Sequence, residues 1–373
     1  MKKVVYTPFG PRSPHYSLKL TTGYAPEGSP DFGSEVGFPF RLDRHSLAAF
    51  RNLLCCQKRE CPAQGRLTTA NRAPSMLLEG FTRSEIKTSG ARIVTVTGGQ
   101  GPPVLLMHGN PFNHLNWHKV APTLARDFTV VATDLRGYGD SEKPPGGEDH
   151  SGYSFRAMAQ DQVEVMAVLG FERFYAAGHD RGARVLHRMC LDHPEKVLRA
   201  AILDIIPQHH LYNHINQQWA TFSWHWFFNI QPYDLPERMM GADPEWFIEK
   251  KLAKTKQGLS FFDPEALAEY KRCFRNPATI HAICEDYRAA AGIDLEMDAK
   301  DFEAERKINC PVLLLWGATG GVGRHSRPGP AEIWKAYASN IVSAKTVPSG
   351  HYLSDEAPSE TTAALREFFT AKL

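Results

Sequence analysis

Five consecutive residues, Gly178-His179-Asp180-Arg181-Gly182, place a carboxylate where a short apolar run gives way to a helical pattern. Glycines at both ends permit the sharp strand-to-helix turn known as a nucleophile elbow, with aspartate where serine often stands. At such a turn the helix dipole and the unbonded N–H groups of the first turn favour the ionised carboxylate. An aspartate that merely caps its helix is the alternative, so the partners decide. His108-Gly109-Asn110-Pro111 follows the apolar run Pro103 to Met107, where an N–H of an oxyanion hole is expected. Asp134 ends the next run, Phe128 to Thr133, and Asp204 ends Ala200 to Leu203. His351 lies just past Ile341 to Val347. A nucleophile, then an acid, then a histidine along the chain is the order of a catalytic triad of this kind.

The elements that must hold these groups alternate. Ala91 to Thr97 has the two-residue period of an antiparallel edge hairpin. The apolar runs at 103–107, 128–133, 174–178, 200–204, 311–316 and 341–347 read as buried strands. Helical spacing separates them at 155–169, 182–193 and 331–339, and a last helix is expected over 358–369. This rhythm predicts a parallel sheet with helices on both faces. It breaks from about Pro207 to Lys307, an aromatic-rich, helical stretch without clear strands. A helical block inserted there is expected to act as a cap over the carboxyl ends of the strands, where open α/β sheets place ligands. The expected organisation is therefore an extension over 1–75, a core over 76–206 and 308–373, and a helical cap over 207–307.

Composition excludes several function classes. A formal charge of +2 gives no reason to expect nucleic acid or an acidic membrane surface. Charge is uneven: residues 1–75 carry 11 Lys/Arg against 5 Asp/Glu, the remainder 32 against 36. That first stretch is rich in Gly and Pro, lacks clear periodicity and reads as poorly ordered. No run of about 18 apolar residues suggests a membrane span, and prolines at 8, 11 and 14 interrupt any signal-like start, so a cytoplasmic protein is expected. The seven cysteines (55, 56, 61, 190, 273, 284 and 310) have neither a disulfide framework nor a zinc spacing and read as free thiols. No metal or cofactor is expected.

From about Met76 to its end the chain resembles the α/β-hydrolase superfamily, and within it the haloacetate (fluoroacetate) dehalogenases. The resemblance rests on Gly-His-Asp-Arg-Gly-Ala-Arg at 178–184, Leu-Asp-Ile-Ile-Pro at 203–207, His-Trp at 225–226 and Cys-Glu-Asp-Tyr-Arg-Ala at 284–289. It implies an α/β-hydrolase fold with a mostly parallel eight-stranded sheet and a helical cap. Superfamily members carry the acid after either of the two strands that flank the cap. The strand after it runs into Trp316-Gly317-Ala318-Thr319-Gly320-Gly321 with no carboxylate before Glu332, so Asp204 is the acid expected to orient His351.

The residue types then imply a two-step reaction. Asp180 attacks a saturated carbon and becomes an ester, and a water activated by His351 hydrolyses that ester at its carbonyl. Backbone N–H groups of Asn110 and Arg181 are expected to stabilise the oxyanion of the second step. Arg181 and Arg184, three apart on the first turn of the helix, share a face and suit a substrate carboxylate. The alternative is that one of them only forms a salt bridge with Asp180 or Asp134. In the similar dehalogenases these two positions bind the acetate carboxylate, and the resemblance assigns the halide to His225, Trp226 and Tyr287. On their own those residues would read as ordinary aromatic core. Asn110 departs from the aromatic residue that haloacetate dehalogenases commonly carry there. It is similar instead to haloalkane dehalogenases, where that asparagine donates to the halide. Those enzymes, however, follow the nucleophile with tryptophan.

The expected activity is dehalogenation of a short, anionic 2-haloacid. Epoxide hydrolysis is the nearest alternative, then haloalkane dehalogenation or a non-catalytic ligand-binding protein. A homodimer is possible. The stretch from Gly320 to Pro330 has no functional reading.

Overall fold

In the computed structural model, which describes residues 67–69, 76–253 and 257–371, the apolar runs form one nine-stranded sheet. The strands are β1 (Leu67–Thr69), β2 (Thr82–Lys87), β3 (Arg92–Gly98), β4 (Pro103–Met107), β5 (Thr129–Thr133), β6 (Phe174–His179), β7 (Val197–Leu203), β8 (Val312–Gly317) and β9 (Ile341–Val347). Their order is β1-β2-β3-β5-β4-β6-β7-β8-β9. β3 pairs antiparallel with β2 and β5, and every pairing from β5 through β9 is parallel. Seven of these strands are runs read from the sequence, and β2, paired with β3, makes up the eight that the resemblance implies. The ninth, β1, adds antiparallel to β2 and lies within the stretch read as an extension over 1–75, so the sheet begins before Met76. Otherwise that stretch, with Cys55, Cys56 and Cys61, lies outside the described residues. The other four cysteines are free thiols.

β4, β6 and β7 occupy the middle of the sheet, which is why they read as unbroken apolar runs: helices cover both faces and little of these strands meets water. Val104 to Met107, Ala176, Ala177 and Ala200 to Leu203 are buried. Helix Phe155–Val168 and helix Arg181–Asp192 pack on each other beside them. The alanines of β6 let the second helix approach its own strand closely.

Between β7 and β8 the secondary structure of the described residues is entirely helical, from Gln208–Asn213 to Ile293–Glu303. Several of these helices start at a proline in the first turn after an Asp or Asn cap, as in Asp243-Pro244, Asp263-Pro264 and Asn276-Pro277. The helix expected over 331–339 is shorter and starts earlier, at Pro330–Trp334. Its anticipated second half turns away to let Ala338 bridge to Ile308. No helix among the described residues is long and apolar enough to cross a membrane.

Candidate active site

Asp180 stands between β6 and helix Arg181–Asp192 with φ 48° and ψ −115°, a conformation most side chains avoid. Close packing around it explains the glycines. A Cβ on Gly178 would lie 2.4 Å from the Gly182 carbonyl oxygen, and one on Gly182 would lie 2.4 Å from that of Met107. Gly182 N–H in turn donates to the His108 carbonyl at 2.9 Å, tying the elbow to the end of β4. The elbow expected from the glycine spacing is thus formed, with its carboxylate raised above the sheet.

The three other strand ends converge on it. The N–H of Asn110, after β4, donates to Asp180 Oδ2 at 3.1 Å. His351, after β9, brings Nε2 to 4.0 Å from the same oxygen, beyond hydrogen-bond reach, so the ring is not tied to the nucleophile. Its Nδ1 meets Asp204 Oδ2 at 2.6 Å. Asp204 is buried at the end of β7, and its other oxygen accepts from Gly317 N–H at 2.9 Å. A carboxylate on Nδ1 keeps the proton on that nitrogen and turns the lone pair of Nε2 toward Asp180. His179 steadies this unit from below, with Nε2 2.7 Å from the His351 carbonyl oxygen. Burial pulls the His179 imidazole down to about 4, so at neutral pH it is uncharged and serves as that donor. Burial alone would raise the carboxyl of Asp180. His351, His179, Arg181 and Arg184 around it reverse that and hold it well below the usual carboxylate range.

The two arginines differ more than their spacing suggests. Neither pairs with Asp134, which instead accepts from the backbone N–H of His114 and sits 2.7 Å from its Nδ1. Arg181 is fully buried and forks onto Asp286: Nε donates to Oδ2 at 2.9 Å, and Nη2 reaches both Oδ1 and, at 2.9 Å, the Asp286 carbonyl. Tyr138 donates to the same carboxylate at 2.5 Å. The guanidinium lies between the rings of Phe155 and Tyr287, 4.7 and 4.2 Å from their centroids. Its remaining nitrogen, Nη1, is buried and makes no hydrogen bond among the described residues. Arg184 stacks on Trp226 at 4.6 Å, gives Nη1 to the Ile206 carbonyl at 3.2 Å, and leaves Nε buried without a hydrogen bond among the described residues. Burial and the neighbouring Arg181 bring it down to about 10, still cationic at neutral pH. Two guanidiniums with spare donors stand beside Asp180, an arrangement chemically able to hold a carboxylate.

His225 and Trp226, on helix Trp224–Asn229, and Tyr287, on helix Pro277–Ala291, are brought together as expected. The Tyr287 ring lies 5.9 Å from that of His225 and 6.0 Å from that of Trp226. Tyr287 is fully buried, and its hydroxyl accepts from Asn110 Nδ2 at 2.9 Å. Burial pushes that hydroxyl up, so it keeps its proton. The stretch from Gly320 onward proves to be packing. Gly321 lies so close to Phe222 that a Cβ would enter its ring, and Trp219 donates to the His325 carbonyl at 2.9 Å.

Sequence reasoning missed Asp286 as the partner of Arg181 and the hydrogen bond from Asn110 Nδ2 to Tyr287. No signal in the sequence singles out Asp286, because the need for a carboxylate counter-charge arises only from the burial of Arg181 beside a second guanidinium.

Comparison with known proteins agrees with this architecture. Residues 102–358 match the family described as alpha/beta hydrolase fold. A fluoroacetate dehalogenase from Burkholderia sp. is 46% identical over 295 residues, covering 79% of this chain and 95% of that one. A soluble epoxide hydrolase from Corynebacterium sp. is 32% identical over 308 residues, covering 78% and 97%. A crystal structure from Nostoc sp. PCC 7120, described as an α/β hydrolase, superposes with a TM-score of 0.76 at 52% identity, covering 80% of this chain and all of that one. The chain belongs to the α/β-hydrolase fold family and, within it, to the family of the haloacetate dehalogenases.

Proposed function

We propose that this protein is a hydrolase of carbon–halogen bonds that converts short 2-haloacids such as fluoroacetate or chloroacetate to glycolate and halide. The observation that carries the reading is the set of donors gathered beside Asp180. Arg181 and Arg184 keep buried, unspent donors and stack on Tyr287 and Trp226, which cluster with His225. The fluoroacetate dehalogenase relative, 46% identical, supports it.

In the first step the substrate carboxylate rests on Arg181 and Arg184, and a carboxylate oxygen of Asp180 attacks the α-carbon. The carbon–halogen bond breaks with its electron pair, and the halide leaves among the N–H and O–H donors of His225, Trp226 and Tyr287. The product is an ester of Asp180. In the second step His351 Nε2 takes a proton from water while Asp204 holds the imidazole in place, and the resulting hydroxide adds to the ester carbonyl. The N–H groups of Asn110 and Arg181 receive the oxyanion; its collapse breaks the ester C–O bond, His351 returns its proton to the departing alkoxide to give glycolate, and the carboxyl of Asp180 releases the remaining proton to solvent. Serine in place of Asp180 would form an ether, which water cannot hydrolyse this way.

Epoxide opening by the same nucleophile would differ in one respect: the leaving alkoxide must gain a proton. The test is halide release from fluoro-, chloro- and bromoacetate, beside diol formation from styrene oxide. Halide from at least one haloacetate is expected; diol without halide overturns the reading.

A further inference from the structure

We propose that the side chain of Asn110 is a positioning residue for the leaving group: it aims the Tyr287 proton at the departing halide and thereby sets how well fluoride leaves. This rests on the dehalogenation reading above and deepens it.

Asn110 is held from three directions. Its N–H is on Asp180 Oδ2 at 3.1 Å, its carbonyl accepts from Lys251 Nζ at 3.2 Å, and its Nδ2 donates to Tyr287 Oη at 2.9 Å. The residue is buried, and its Oδ1 makes no hydrogen bond among the described residues. Burying an amide with its oxygen unsatisfied works against stability, and a leucine of similar size would avoid that cost. A demand other than folding is therefore the better account of this side chain.

That demand follows from the valence of a phenol. Tyr287 has one proton to donate and lone pairs to accept with. Because Asn110 occupies a lone pair, the proton remains available. The ring cannot swing away, since one face lies 4.2 Å from the Arg181 guanidinium and its neighbours are His225 and Trp226. One residue thus spans both ends of the reaction. Its backbone touches the nucleophile, and its side chain holds a donor for the leaving group.

Fluoride is the smallest and most charge-dense halide and accepts hydrogen bonds most strongly, so its departure depends most on an aimed donor. Bromide, large and diffuse, depends least. The ratio of kcat/KM for fluoroacetate to that for bromoacetate reads this directly. All three haloacetates give the same glycolyl ester, so effects on ester hydrolysis cancel from the ratio, as does general damage to the fold.

The experiment compares wild type with Asn110→Leu, and with Asn110→Ser, which is small enough to be accommodated yet too short to reach Tyr287. Both keep the backbone N–H on Asp180. Each is expected to lower the fluoroacetate-to-bromoacetate ratio roughly tenfold, the scale of one well-aimed hydrogen bond to a developing charge. In a Tyr287→Phe background the same substitutions should leave the ratio where Tyr287→Phe has put it, because the two residues act as one unit. An unchanged ratio in both variants overturns the proposal, as does a further fall in the Tyr287→Phe background. A rise also overturns it, since it would mean that Asn110 accepts the proton and holds it back. Wild type that releases no halide from any haloacetate would instead defeat the dehalogenase reading itself.

Discussion

In the proposed reaction Asp180 has to be ionised and poorly hydrated at once, since hydration would blunt its attack on carbon. Its neighbours achieve both, because His351, His179, Arg181 and Arg184 offset the effect of burial. His351 stands 4.0 Å away and is bound to Asp204, not to Asp180, so the two steps of the proposed reaction would have separable machinery. Replacing His351 with Ala should therefore leave halide release possible once per chain and stop it there. Mass spectrometry of the peptide carrying Asp180 should then show an accumulated ester, with steady-state turnover down at least about a hundredfold. Steady turnover near wild type, or a stalled enzyme carrying no ester, would contradict this division of labour. The residues of this machinery were legible because each stands at a strand end and in an order that the fold imposes. Asp286 was not. It pairs with Arg181 from 105 positions away, on a helix whose residues show no spacing that singles it out. Only the burial of Arg181, which a sequence does not display, makes that carboxylate necessary.

At the scale of elements, the site is a joint between β4, β6 and helix Arg181–Asp192. Gly182 N–H binds the His108 carbonyl, and no atom can be added to its Cα without meeting the end of β4. Gly182→Ala should push the nucleophile helix off β4, costing about 1–3 kcal/mol of stability. Because the displaced helix carries Asp180, Arg181 and Arg184 together, turnover should fall further than that loss explains. Urea unfolding beside kinetics on the folded variant checks this; a variant with unchanged stability and rate would show that the joint is loose. The central strands were legible because burial on both faces leaves unbroken apolar runs between helical stretches. β1 was not, being three residues long and stabilised by pairing with β2, with no pattern of its own. The helices between β7 and β8 were legible only as a block. Their aromatic residues pack on one another in many directions, which blurs the single apolar stripe from which a helix is usually read.

The molecule as a whole should respond to acid through histidines rather than through its nucleophile. Burial pulls His108 and His179 down to about 4 and His187 to about 3, against about 6.5 in an unfolded chain. A base whose folded value is depressed gives stability that is complete above 6.5 and is lost as pH falls toward the folded value. Each of these imidazoles should therefore cost about 3 kcal/mol by pH 4. Four buried acids, Asp161, Asp294, Asp298 and Asp355, oppose them. Burial pushes Asp298 up to about 6 and Asp355 up to about 7, so their contribution is complete below the unfolded carboxylate value near 3.8 and is lost as pH rises through 6 and 7. Buried histidines and buried acids therefore pull stability in opposite directions as pH falls. Asp355→Asn separates the contributions, because an amide cannot ionise. That variant should gain roughly 2–4 kcal/mol over wild type at pH 8 and little at pH 4.5, making its loss on acidification the steeper of the two. An Asp355→Asn variant with the same pH slope as wild type would show that Asp355 is hydrated in solution and titrates near its ordinary value.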